Sequence, residues 1–364
     1  MLVRLYGQKL GHGSLAVVTR GFEGELRRSG LLKGVYAVDL AASYVDGECP
    51  TDGADARHGV YVGPLGSVGQ MFEQGHHEHH FVMVTPNSDQ LPQALVRQLK
   101  GYQEKFSVRW MAPSSWAAGI VRGFLGECWV VTHGVSSEYA PIPGFNEQTR
   151  DDYLSGAFRV IHFSTSARQR KGTIELLQAW RLAERIWANG AVLLCVMDYP
   201  AKAALEEAIA DGNIPNWKDL ISSVRIVQRA ELDASQMART LCRAHVVCQP
   251  SRGEGFGLIP LQALCCGVPV VATTATGHSE YLLSDWHRVP GVRTVPTGDL
   301  APIDDLPGSR APSLDPHEIA RALGDARADW LQMQSRLLVN APMWQANWSW
   351  QSRLEKFMQA LSSP

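Results

Sequence analysis

Short apolar runs alternate with stretches of helical period along most of this chain. Leu2–Tyr6 reads as a first strand, followed by the loop Gly11-His12-Gly13 and a helix-like stretch to about Arg28. Gly34–Leu40, Val60–Val62 and Phe81–Val84 read as further strands, Leu91–Phe106 as a helix, and Val108–Met111 as a strand. Ser115–Phe124 is a helical pattern and Cys128–Val131 another strand pattern. Such alternation predicts a parallel sheet with helices on both faces, because parallel neighbours need a crossover and the crossover is usually a helix.

Residues 135–157 interrupt the rhythm with Pro141, Pro143 and Gly144 and show no periodicity, so they read as an interdomain linker. The alternation then restarts. Phe158–Phe163, Ala191–Val196, Val224–Val227 and Ala244–Cys248 read as strands, and Thr173–Trp187 and Ser235–Cys242 as helices. In the tail, Trp350, Leu354, Phe357, Met358 and Leu361 share one helical face behind a candidate N-cap, Ser349. A chain of 364 residues is long enough for two cores. The expected division is a first domain over 1–150, a second over 151–340 and a terminal helix over 341–364.

The formal net charge of −2 gives no global positive field for nucleic acid or acidic membrane. The seven cysteines form no C-x-x-C pair and several lie in apolar runs, as expected of reduced, buried thiols. The N-terminus shows no long apolar stretch of the secretory kind, and no run approaches the ~20 apolar residues of a membrane span. These features predict a cytoplasmic protein.

The most informative segment is Gln249–Gly267, QPSRGEGFGLIPLQALCCG. A strand enters a glycine-rich turn that opens a helix at about Leu258, with Pro260 tolerated in the first turn. Gly253, Gly255 and Gly257 let the backbone approach a ligand, and the amides of Phe256, Gly257 and Leu258 then form a phosphate site at a helix N-terminus. Glu254 would repel a diphosphate, so its natural partner there is a sugar hydroxyl. Gln262, a turn into the helix, is placed to face a ribose. The competing reading is a tight strand–helix turn with no ligand. A second segment, Phe163–Gly172, joins strand to helix and clusters Arg168, Arg170 and Lys171. Cations at the carboxyl ends of parallel strands suit a diphosphate leaving group, although taken alone the cluster reads as a solvated charge run.

The stretch SRGEGFGLIPLQALCCGVPVVAT resembles the signature of the retaining glycosyltransferases of family four: a carboxylate, seven residues, a second carboxylate position, small residues and Gly-x-Pro-Val. RKGTIELLQAW, Gly277-His278-Ser279-Glu280, Ala112-Pro113-Ser114-Ser115-Trp116, His133-Gly134-Val135 and NWSWQSRLEKF resemble that family in its order over roughly 110–360. The first hundred residues match in outline, chiefly at Gly11–Gly13. The resemblance implies a GT-B architecture, two doubly wound Rossmann-like domains facing across a cleft, the first binding acceptor and the second a nucleotide-diphosphate sugar, UDP-sugar favoured. It implies transfer to a hydroxyl with retention of anomeric configuration, no cofactor and no metal. The terminal helix is implied to cross back to the first domain.

On this reading Glu254, Lys171 and Arg168 are catalytic, Glu254 orienting the transferring sugar. Gly13, Arg170, Arg229, Gly255, Phe256, Gly257, Leu258 and Gln262 bind donor, the base lying near Gln228–Glu231. His12, Asn87 and His133 are acceptor-side candidates, with a core or surface role the competing reading for either histidine. The chain departs from the family in three places. Gln262 replaces the second carboxylate, where an amide can still hydrogen-bond a ribose. Thr165-Ser166 stand where the family has Gly-Arg, so Arg168 or Arg170 supplies the second cation. VMVTPNSDQ carries Thr85 and Asn87 but no histidine near the sugar. His76, His77, His79 and His80 split two to each strand face, which does not complete a zinc site, and read as an exposed or cleft-lining segment. Trp344, Trp348 and Trp350 read as packing anchors. The acceptor stays open among a glycan, a small metabolite, a protein and a hydroxylated DNA base, the balanced charge arguing against a duplex. The alternative to an enzyme is a sugar-nucleotide-binding or scaffold protein derived from a transferase.

Overall fold

The computed structural model describes residues 2–7, 14–38, 45–46, 56–62, 72, 77–164, 169–184, 190–197, 203, 223–228, 232–282, 291–303 and 308–362. Two compact units divide the chain: Met1–Ser136 with Ala346–Pro364, and Ser137–Gln345. In the first are β1 (Leu2–Gly7), α1 (Ser14–Arg28), β2 (Leu32–Val38), β3 (Val45–Asp46), β4 (Ala56–Val62), β5 (His79–Met83), α2 (Gln93–Lys105), β6 (Val108–Ala112), α3 (Ser115–Leu125) and β7 (Cys128–Val130). The second holds α4 (Pro143–Leu154), β8 (Phe158–Ser164), α5 (Thr173–Glu184), β9 (Ala191–Met197), β10 (Val224–Gln228), α6 (Ala234–Cys242), β11 (Val246–Gln249), α7 (Leu258–Cys265), β12 (Val270–Thr273), α8 (Ser279–Leu282), β13 (Val292–Val295), β14 (Thr297–Pro302), β15 (Arg310–Leu314) and α9 (Pro316–Ala328). Helix α10 (Trp330–Asn347) follows, then α11 (Trp350–Ser362), which belongs to the first unit.

The first sheet has the order β3-β2-β1-β4-β5-β6-β7, parallel throughout except where β3 pairs antiparallel with β2. The second has the order β10-β9-β8-β11-β12-β13 and is wholly parallel. Both are doubly wound: the chain starts at a central strand, builds outward one way, then returns and builds the other way. Strands buried on both faces need continuous apolar runs rather than alternation, and Val246–Gln249 and Val270–Thr273 are buried at every position.

Apolar anchors hold each unit. In the first, Tyr61, Phe72, Val82, Leu99, Trp110 and Val121 pack into one core. Helix α11 closes it from another side: Phe357 lies 5.7 Å from Phe22 and 5.6 Å from Phe81, and Trp350 lies 6.3 Å from Phe22, ring centre to ring centre. Ser349 caps this helix, accepting from the Ser352 amide at 3.1 Å. In the second, Phe158, Leu176, Trp180, Val246, Ile319, Leu323 and Trp330 form the core. Trp344, Trp348 and Trp350 are all buried.

Two sequence expectations need correction. The expected linker contains α4. Pro143 opens that helix, and its buried positions are Asn146 and Thr149, so there is no apolar stripe to read. Polar staples replace it: the His245 ring accepts from the Arg159 amide at 2.7 Å and donates to the Thr149 carbonyl at 2.9 Å. Two of the histidines expected in an exposed or cleft-lining segment, His77 and His80, are instead buried, while His79 is half-buried. His77 Nδ1 donates to the Ala56 carbonyl at 2.8 Å, so its Nε2 accepts from the Tyr6 hydroxyl at 2.9 Å. His80 pairs with the Tyr61 hydroxyl at 2.8 Å. His76 lies outside the described residues. Among the described residues no group of three or more His, Cys, Asp or Glu side chains could hold a metal ion, and no helix is long and apolar enough to cross a membrane.

Candidate functional site

In the second sheet, β8 and β11 are neighbours whose outgoing connections leave in opposite directions. The turns after their carboxyl ends therefore diverge and leave a crevice, the place where open α/β sheets bind ligands. Those turns are the two chemistry-bearing segments. Gln249 finishes β11 by bridging across to β8, its amide nitrogen donating to the Phe163 carbonyl at 2.9 Å. Further along, the Arg252 amide donates to the Arg170 carbonyl at 2.7 Å and ties one turn to the other. Gly172 permits this approach. It has φ +66°, and a Cβ there would lie 2.1 Å from the Pro250 carbonyl oxygen.

The side chains converge as a result. Glu254 forms an ion pair with Lys171. Arg170 lies 3.5 Å from the same carboxylate oxygen and donates to the Gly253 carbonyl at 2.6 Å. The Glu254 backbone is pinned on both sides, donating to Thr276 Oγ1 at 3.2 Å and accepting from the Gly277 amide at 2.7 Å. Burial pushes the Glu254 carboxyl up, but Lys171 and then Arg170 outweigh it and hold the group at about 2. At neutral pH it is a carboxylate that accepts hydrogen bonds and cannot donate a proton.

Helix α7 starts beside this cluster. Gly257 is its N-cap in the left-handed region, φ +84°, and, being a glycine, it puts no capping side chain on the first turn. The helix's positive end thus opens toward the crevice with no capping side chain at its N-cap. Gly257 is fixed from behind: its carbonyl accepts from the Tyr281 hydroxyl at 2.6 Å, and a Cβ on it would lie 2.1 Å from the His278 ring. Gln262 is buried on this helix, and its Oε1 has no hydrogen-bond partner among the described residues.

The structure thus brings Lys171, Arg170, Glu254, Gly255, Phe256, Gly257, Leu258 and Gln262 to one edge of the second sheet. Arg168, Gly13, Arg229 and His12 lie outside the described residues, and Gln228 ends β10 just before Arg229. Asn87 is exposed after β5 in the first unit. His133 is buried in the same unit with its ring 6.0 Å from Trp350, and burial lowers it to about 3. Three residues to which the sequence reading gave no role of their own complete the construction. His278 and Tyr281 fix Gly257. Arg252 reaches the β14–β15 hairpin, donating from Nε to the Pro312 carbonyl at 2.9 Å. The spacing of Gly277-His278 and Tyr281 behind an apolar strand was the available signal for the first two. Arg252 carried none beyond its place within the glycine run.

A family model described as family 4 glycosyltransferase in conflict systems matches residues 131–356. The D-inositol 3-phosphate glycosyltransferase of Kineococcus radiotolerans is 29% identical over 162 residues, 43% of this chain and 36% of the relative. That of Pseudarthrobacter chlorophenolicus is 30% identical over 132 residues, 32% of this chain and 31% of the relative. The match thus spans about a third of the length of these curated relatives. Among solved structures, the chain is similar to Anabaena HepE in complex with UDP and glucose, with TM-score 0.70 and 15% identity over 100% of both chains. It is also similar to sucrose-phosphate synthase from Thermosynechococcus elongatus, with TM-score 0.66 and 16% identity over 99% of this chain and 98% of that one. At such identities the likeness is one of fold, the GT-B fold.

Proposed function

Because the chain belongs to the family 4 glycosyltransferases of conflict systems, we propose that it moves a sugar from a nucleoside-diphosphate sugar, UDP-sugar favoured, to a hydroxyl acceptor. The observation carrying this reading is the meeting of two cations, a carboxylate and an uncapped helix N-terminus at the switch point of the second sheet. In this reading the second unit takes the donor and the first the acceptor. The diphosphate rests on the first turn of α7, with Lys171 and Arg170 stabilising the charge that develops as it departs. Arg168, Arg229 and Gly13 remain donor-side candidates. Glu254, held ionised, accepts from hydroxyls of the transferring sugar and fixes its orientation. Gln262 faces the ribose with its unpartnered oxygen. Catalysis is electrostatic and needs neither metal nor cofactor, and the sugar keeps its anomeric configuration. Asn87, His12 and His133 remain the acceptor-side candidates, and the acceptor is a glycan, a small metabolite, a protein or a hydroxylated DNA base. The six described cysteines are unpaired and buried, which supports a reducing, cytoplasmic setting.

A thermal-shift panel of UDP-, GDP-, ADP- and TDP-glucose tests the donor site, since a ligand at 100 Kd stabilises the fold by about 2.7 kcal/mol. Glu254→Gln, which keeps the shape and removes the charge, should retain the shift and lose transfer and donor hydrolysis. A panel without any shift would overturn the reading. A shift without turnover of any acceptor or donor would replace the enzyme by a sugar-nucleotide-binding protein.

A further inference from the structure

His278 holds a buried polar atom that the reading above does not use. The residue lies between β12 and α8 with no exposed surface. Its Nδ1 is 3.1 Å from the Thr273 carbonyl oxygen. A carbonyl only accepts, so Nδ1 carries a proton. In a neutral ring Nε2 is then a bare lone pair, and it has no hydrogen-bond partner among the described residues. An unpaired buried acceptor is unfavourable, and such atoms in native folds call for an explanation.

The place of this atom suggests one. A Cβ on Gly257 would lie 2.2 Å from Nε2, so the lone pair is packed against the residue that caps α7. The uncapped helix end proposed to hold the diphosphate is on the other side of one glycine. Among the described residues, charged and titratable groups face the ring from three neighbouring elements. Glu254 comes from the β11–α7 turn, Lys171 and Arg170 from the β8–α5 turn, and Tyr281, 6.2 Å away ring to ring, from α8. Burial and the two cations hold the ring neutral, while Glu254 opposes them; the net is a value lowered to about 4. Among the described groups, Nε2 is the unpaired basic atom beside the anion site.

We propose that His278 takes up a proton at Nε2 when a nucleoside diphosphate binds at the start of α7, so that donor binding is proton-coupled. The inference rests on the donor-site reading. A diphosphate brings negative charge to the cradle and draws Lys171 and Arg170 toward itself. Glu254 then keeps its charge with less compensation, and the two cations no longer act on the ring alone. Each change favours imidazolium. The proton comes from solvent and leaves when the diphosphate leaves. The sign is fixed: a group that gains a proton on binding makes binding tighter as pH falls, over the window between its value in the complex and its value of about 4 without ligand.

Calorimetric titration with the nucleoside-diphosphate glucose giving the largest thermal shift tests this. That probe has no phosphate proton of its own to lose near neutrality. At pH 6.5, in buffers of different ionisation enthalpy, the full chain should absorb up to one proton per ligand, read as the slope of apparent enthalpy against buffer enthalpy. Affinity should rise by up to tenfold for each pH unit lowered. His278→Asn keeps a donor for the Thr273 carbonyl and cannot take the proton, so slope and pH dependence should both vanish. His278→Gln, checked by its unfolding curve, provides a second neutral variant. Binding with a flat slope in the parent chain, or a slope surviving in either folded variant, overturns the proposal and leaves the donor site standing. Absence of binding by every probe overturns both.

Discussion

Removing the Lys171 charge should unfold the site before it reveals anything about catalysis, and a second substitution separates the two effects. The Lys171 and Glu254 side chains are only 15% and 10% exposed, so water cannot replace either partner. The difference between the ordinary 4.5 of Glu254 and its value of about 2 in the fold corresponds to about 3 kcal/mol at 1.36 kcal/mol per pH unit. Arg170 supplies part of it. Lys171→Met should therefore cost about 2–3 kcal/mol at pH 7, within reach of the 3–5 kcal/mol typical of breaking a buried pair. Lys171→Met with Glu254→Gln removes both charges at nearly constant volume and should recover most of that loss. Urea unfolding of the parent, both single variants and the double variant completes the cycle, alongside transfer or donor hydrolysis for each. The double variant should be stable and inactive. The pH sign follows: a depressed carboxyl stabilises the fold above about 4.5 and loses that contribution as pH falls toward 2, so the parent should show this acid loss and the double variant should not. A double variant as unstable as Lys171→Met would refute the pairing, and an active one would refute its catalytic role.

Gln262→Glu should tighten binding of free UDP by about fivefold, because hydrogen bonds to a charged acceptor contribute ~1.5–3 kcal/mol against ~0.5–1.5 for neutral ones; weaker binding by calorimetry would take the ribose away from this position. His58, His80, His162 and His245 are all lowered to about 4, chiefly by burial, so each stabilises the fold above ~6.5 and withdraws that contribution below it. The unfolding free energy from urea titrations should fall as pH drops from about 6.5 toward about 4, at up to ~1.4 kcal/mol per histidine per pH unit, and an unchanged value would refute their buried neutral state. Deleting α11 should strip the cover from Phe22 and Phe81 and yield an aggregating protein by light scattering; a soluble, monomeric and active truncation would contradict the packing.

The strands were legible because a parallel sheet writes itself as continuous apolar runs, and β8, β9, β11 and α7 lie within a residue or two of their expected places. What escaped was structure held by polar groups. Helix α4 buries Asn146 and Thr149, and the His77 and His80 rings sit in a core on hydrogen bonds to tyrosines; neither pattern differs in sequence from a loop or a surface patch. The β14–β15 hairpin, TGDLAP against RAPSL, is proline-bearing and lacks apolar alternation, so Pro307-Gly308 between its strands was the one sign of it. At the site, residue types and turns were readable. The Lys171–Glu254 pair was not, because its geometry depends on Gly172 and on the link between the Arg252 amide and the Arg170 carbonyl.

The discontinuous first unit has a consequence for synthesis. Its strands emerge within Met1–Ser136, but the helix that covers Phe22 and Phe81 comes only after Ser137–Gln345 has been made. At ~5–20 residues per second those intervening residues take roughly 10–40 s. The second unit, contiguous in sequence, can finish folding within that interval. The first must wait on the ribosome with an aromatic face bare, long after its own sheet could have formed.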